Sequence, residues 1–135
     1  MSISAAVTAL RPTIERLAEF AALSSNWDSY GGLPASPRAV SAATELLVLL
    51  ADYLPDLDPE RLVPFAVAPI ADGGVQLEWR RQRHDLEVEI APGGELGYLL
   101  IERLGDRREF REESNVLARE VLRLLGTLLV RDPPE

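Results

Sequence analysis

Residues 65 to 101 read FAVAPIADGGVQLEWRRQRHDLEVEIAPGGELGYLLI, and the fold turns on them. Apolar and polar side chains alternate through VQLEWR (75–80), DLEVEI (85–90) and ELGYLLI (95–101), the period-two pattern of strands with one buried face. FAVAPI (65–70) precedes them. Asp72-Gly73 is a hairpin turn signal, and RQRH and APGG separate the later segments. The stretch therefore predicts a four-stranded antiparallel meander. A turn centred between Asp72 and Gly73 pairs Ile70 with Val75, Ala68 with Leu77 and Ala66 with Trp79. The next hairpin pairs Val75 with Ile90, Leu77 with Val88 and Trp79 with Leu86; the last pairs Ile90 with Leu96, Val88 with Tyr98 and Leu86 with Leu100. All of these fall on one dry face, and a one-residue slip would destroy the agreement.

The opposite face is predicted to carry Gln76, Glu78, Arg80, Asp85, Glu87 and Glu89, with Val67, Leu99 and Ile101 toward the outer strands. Glu78 falls opposite Glu87, a like-charge pair that is unfavourable unless something relieves it. A divalent cation, a paired-carboxylate site or a partner's arginines would each relieve it, and so would splaying of exposed side chains. Acidic residues beside exposed apolar ones resemble a partner-binding surface more than a catalytic cleft.

On both sides of this stretch the period changes to that of helices. Val7, Leu10, Ile14, Leu17 and Ala21 mark a helix whose regular part should begin near Arg11 or Pro12, with proline in the first turn. Ser36 as N-cap and Pro37 at the first position open a second helix that Pro55 ends. Its run Leu46, Val48 and Leu49 predicts burial on more than one side. A last helix is expected over about residues 112 to 131, followed by a frayed tail over 131–135. Residues 107–111 admit two readings: a charged loop, or a fifth short edge strand. The chain is expected to be one α+β domain over 1–135, two helices, the meander and a third helix, with the helices packed on one face of the sheet.

Composition narrows the function. The chain has no cysteine and one histidine, His84, and all 14 of its basic residues are arginine. Thiol chemistry, lysine Schiff bases, a P-loop lysine and a multi-histidine metal site are thereby excluded. A net charge of −8 argues against nucleic-acid binding. No apolar run approaches the ~20 residues that span a bilayer, and no signal peptide is evident, so no membrane association and a cytoplasmic location are expected. No cofactor, metal or catalytic residue is predicted.

The remaining motifs are two loops. In NWDSYGG (26–32), Asn26 and Asp28 suit Asx-turns, the glycines permit positive φ, and Trp27 and Tyr30 supply apolar area with polar handles. The loop is either a recognition site built on Trp27, Asp28 and Tyr30 or a clasp between helices. The clasp is favoured, with Trp27 buried against the core and Tyr30 partly covered. The basic loop Arg80, Arg81, Arg83 and His84 is expected to be solvated, offsetting an acidic sheet, and its exposure argues against His84 as a general base. The motif Asn26-Trp27-Asp28-Ser29-Tyr30-Gly31-Gly32, taken with Gly74-Val75-Gln76-Leu77-Glu78-Trp79, resembles a group of small uncharacterised bacterial proteins with an N-W-D-x-Y-G-(A/G) motif and a later G-x-x-L-E-W strand. That resemblance implies a shared structural design and no known activity.

The function expected is a non-enzymatic protein-interaction module of the antitoxin, immunity or chaperone kind. It would bind a protein partner or a second copy, as a homodimer, through Val67, Glu78, Glu87, Glu89, Leu99 and Ile101. The alternative is a metal-dependent hydrolase using the clustered sheet carboxylates.

Overall fold

The computed structural model describes residues 2–133. In chain order it contains α1 (Ser2–Ala21), α2 (Pro37–Tyr53), a 3₁₀ turn (Pro59–Leu62), β1 (Ala66–Pro69), β2 (Val75–Arg80), β3 (His84–Ile90), β4 (Leu96–Leu104), β5 (Arg107–Val116) and α3 (Ala118–Arg131). The architecture is α+β, with an antiparallel sheet in the order β1-β2-β3-β4-β5.

The sheet has five strands rather than the four expected. β4 runs past Ile101 to Leu104, Gly105-Asp106 makes a tight turn, and β5 returns with Arg107 opposite Leu104. β5 carries charge on both faces, so it shows no apolar alternation. Main-chain pairing to β4 makes it a strand. In consequence α3 starts at Ala118 instead of near residue 112, and Leu117 is its half-exposed N-cap.

Two hairpin registers agree with the predicted ones. Val75 lies opposite Ile90, Leu77 opposite Val88 and Trp79 opposite Leu86; Val88 lies opposite Tyr98 and Leu86 opposite Leu100. The β1–β2 register is shifted by one residue. Val67 pairs with Leu77, and Ala66 pairs with Glu78. The cause is turn chemistry. Ile70 and Gly74 close the hairpin through Ile70 N to Gly74 O, leaving Ala71, Asp72 and Gly73 as the loop, with Gly73 at φ 98° in its last position. A three-residue loop with glycine in that place slips the pairing by one relative to a two-residue Asp-Gly turn. The slip turns Val67 to the buried side and Ala66 and Ala68 to the other.

The core joins the buried strand positions Val75, Leu77, Trp79, Leu86, Val88 and Ile90 to leucines of all three helices, among them Leu10, Leu17, Leu47, Leu50, Leu125 and Leu129. Trp79 is its largest member, and its indole Nε1 donates to Leu62 O at 3.0 Å. α1 runs through Pro12 from Ser2, because burial of Ala6 and Leu10 ahead of the proline outweighs the lost backbone bond. α2 begins as expected: Ser36 Oγ accepts from Ala39 N at 3.0 Å and Pro37 follows. Val48 and Leu49, however, face outward, so α2 is buried along one stripe only.

Candidate functional site

The sheet face opposite the core brings together most of the residues singled out in the sequence. Glu78 stands opposite Glu87, Glu87 opposite Leu99, and Asp85 opposite Ile101. Val67 does not belong to this group; it packs against the core. β5 adds residues the sequence reading missed. Phe110 pairs with Ile101 and Glu112 with Leu99, and Phe110 is 63% exposed. Their only signal was the odd-even placement of Phe110 among charges.

The carboxylates on this face are partly relieved from within. Gln76 Nε2 donates to Glu87 Oε1 at 3.0 Å, Arg80 Nε to Glu78 Oε2 at 2.9 Å, and an Arg103 guanidinium N–H to Asp85 Oδ2 at 2.7 Å. Glu87 remains strained. Burial, then the charges of Glu78 and Glu89, push its carboxyl above the ordinary value, against the pull of the Gln76 bond. Gly97, opposite Glu89 and lacking a side chain, opens a depression of about 170 Å³ bounded by Glu87, Glu89, Leu99 and Glu112. Among the described residues no group of three or more His, Asp or Glu is placed to hold a metal ion.

The NWDSYGG loop spends its polar groups on itself. Asp28 Oδ1 accepts from Tyr30 N at 2.9 Å and Gly32 N at 2.8 Å, which holds its carboxyl below the usual range. Asn26 Oδ1 accepts from Gly31 N, and Trp27 Nε1 donates to Leu33 O at 2.6 Å. Asn26 and Ser29 take positive φ, and Leu33 N and Ser36 N tie the segment to the β1–β2 turn at Ala71 O and Gly73 O. Trp27 is half-buried and outside the core, against expectation, because its ring closes its own turn. Tyr30 is 91% exposed rather than partly covered.

The basic loop is not the solvated one expected. Arg81 is buried, its guanidinium donating to Arg80 O and Arg61 O, and desolvation lowers its pKa. Arg80 ends β2 and stacks over the Phe65 ring at 4.1 Å. His84 opens β3 between two carboxylates: Nδ1 lies 2.8 Å from Asp132 Oδ2 and Nε2 3.5 Å from Glu102 Oε2. Asp132 is buried and also accepts from Arg83 N, while Gln82 N donates to Pro133 O. The tail expected to fray is therefore anchored through Pro133; residues 134 and 135 lie outside the described residues. A pocket of about 350 Å³ adjoins this cluster, lined by His84, Arg83, Thr127 and Arg131. Thr127, the one hydroxyl among the described residues that line this pocket, donates to Arg123 O. Through Asp132 and Pro133 these contacts staple the segment after α3 to the start of β3.

No helix among the described residues is long and apolar enough to cross a membrane. Comparison of the chain with protein-family models, curated proteins and solved structures gives no match.

Proposed function

We propose that the protein is a non-enzymatic protein-interaction module. In this reading the helices occupy the buried face of the sheet, and the opposite face is the binding surface. The observation that carries it is the band formed by Leu99, Ile101 and exposed Phe110 beside Glu78, Glu87 and Glu89. A protein surface with arginine or lysine flanking an apolar centre would satisfy both halves. Its cations would relieve the carboxylate row that, after burial, raises the Glu87 pKa, and its apolar side chains would cover the band. The local bonding of NWDSYGG and the staple at His84 leave those loops with structural duties, which favours the sheet face over either.

The test compares affinity capture by the full chain with capture by Glu89→Arg and Leu99→Arg variants, after circular dichroism has shown that each variant is folded. The expected result is a protein retained by the wild type and lost with both variants. Retention of the same proteins in the same amounts by all three chains would remove the sheet face as the binding surface.

A further inference from the structure

β5 is the last strand of the sheet, and among the described residues nothing pairs with its second edge. From Arg107 to Asn115 every residue is exposed. An edge of this length is a template for another strand, and proteins usually blunt such edges with like charges, proline or a bulge. The other edge strand, β1, is short and contains Pro69, which has no N–H to offer. β5 from Arg107 to Glu113 contains no proline, and its charges are not alike. They read Arg-Arg-Glu-Phe-Arg-Glu-Glu, a sequence that becomes its own charge complement when reversed.

We infer that β5 pairs antiparallel with β5 of a second copy of this chain, across a twofold axis through Phe110. A twofold normal to the sheet places one β5 residue opposite its own mate and keeps the outer faces of both copies on the same side. With Phe110 on the axis, Arg107 faces the second copy's Glu113, Arg108 faces its Glu112, and Glu109 faces its Arg111. Each pair occurs twice by symmetry, and every charge in the segment meets its opposite. Moving the axis to Glu109 sets Arg107 against Arg111 and Glu109 against itself. Moving it to Arg111 sets Glu109 against Glu113 and Arg111 against itself. Only one of these neighbouring registers is free of like-charge contacts.

Three further observations agree. The regular β4–β5 ladder runs from Leu104↔Arg107 to Tyr98↔Glu113, the same segment that is self-complementary, and the irregularity follows it, with Asn115 at φ 53°. Among the described residues no salt bridge within the chain engages Arg107, Arg108, Glu109, Arg111, Glu112 or Glu113. Phe110, 63% exposed, lies beside Ile101 on the outer face, where its mate's ring would cover it. The two sheets would then be continuous, with both outer faces open on one side. This inference does not depend on what those faces bind.

A single strand pair is a small interface, so a micromolar, salt-sensitive dimer is expected. Sedimentation velocity on the full chain from about 1 to 200 µM at low salt should show a monomer–dimer equilibrium that weakens as salt is raised. Arg108→Glu alone and Glu112→Arg alone should each raise the dimer Kd about tenfold or more. An equimolar mixture of the two variants, and the double variant Arg108→Glu/Glu112→Arg, should recover dimer, because each restores opposite charges across the axis. Amide exchange at residues 108–112 of the wild type should slow as concentration rises, which tests the same edge without any substitution. A wild type that stays monomeric across this range overturns the inference. So does a dimer that persists unchanged in the folded single variants, or a mixture and double variant that fail to recover it.

Discussion

Replacing Asp132 by alanine measures how much of the fold depends on the segment that follows α3. The carboxylate is only 5% exposed and accepts from His84 Nδ1 at 2.8 Å and from Arg83 N at 3.1 Å. Removing it orphans a partly buried backbone donor, which costs about 1–3 kcal/mol, and deletes a bond to the imidazole worth about 0.5–1.5 kcal/mol. The adjoining pocket of about 350 Å³ admits water that can satisfy part of this loss. A net destabilisation of about 2 kcal/mol results. With a urea slope of about 1–3 kcal/mol/M for a small domain, the unfolding midpoint should fall by about 1 M. Tryptophan fluorescence reports the transition, because Trp79 is fully buried and only one other tryptophan is present. His84→Ala and the double variant complete a cycle whose coupling energy should exceed about 0.5 kcal/mol. A midpoint shift under about 0.3 M, together with additive single effects, would refute the staple.

Glu87→Gln tests the carboxylate row. The folded state raises the Glu87 pKa above the ordinary 4.5, so it holds that proton more tightly than the unfolded chain does, and this position loses stability as pH rises past 4.5. The substitution should therefore stabilise the protein at pH 7 by about 0.2–1 kcal/mol, allowing for screening on an open face. The gain should vanish once the pH falls well below 4.5; an equal gain at both pH values, by thermal melting, would contradict the assignment. The two tryptophans should rank unequally. Trp79→Ala opens the core and should cost about 3–5 kcal/mol, whereas Trp27→Ala loses one turn-closing bond and should cost about 0.5–1.5 kcal/mol. Equal costs in urea unfolding would place Trp27 in the core after all.

The parts of this fold legible in the sequence are those where one face is apolar. β2, β3 and the first part of β4 alternate cleanly, so their pairing and the Glu78–Glu87 juxtaposition followed from residue types alone. β5 has no apolar face, so its pairing is a property of β4's free edge rather than of its own side chains. The Val67 error came from a turn: Asp72-Gly73 signals a hairpin but not whether the glycine is the second or third loop residue, and that choice decides which face a side chain meets. Asp132 was invisible for another reason. A carboxylate in RDPPE looks solvated until the fold delivers Arg83 N and His84 to it from across the chain.

Ser36 has a kinetic consequence. Its hydroxyl oxygen accepts from Ala39 N and the same hydroxyl donates to Pro92 O at 2.6 Å, while its own backbone N donates to Gly73 O at 2.8 Å. The cap of α2 therefore touches two hairpin turns that lie far along the chain. A helix that nucleated early would present this serine to empty space, and the cap would reach full strength only after both turns had docked. The first turn of α2 should thus mature late, with the sheet rather than ahead of it. Exchange of the Ala39 amide would follow the rare opening of the whole fold instead of the frequent fraying of a helix end.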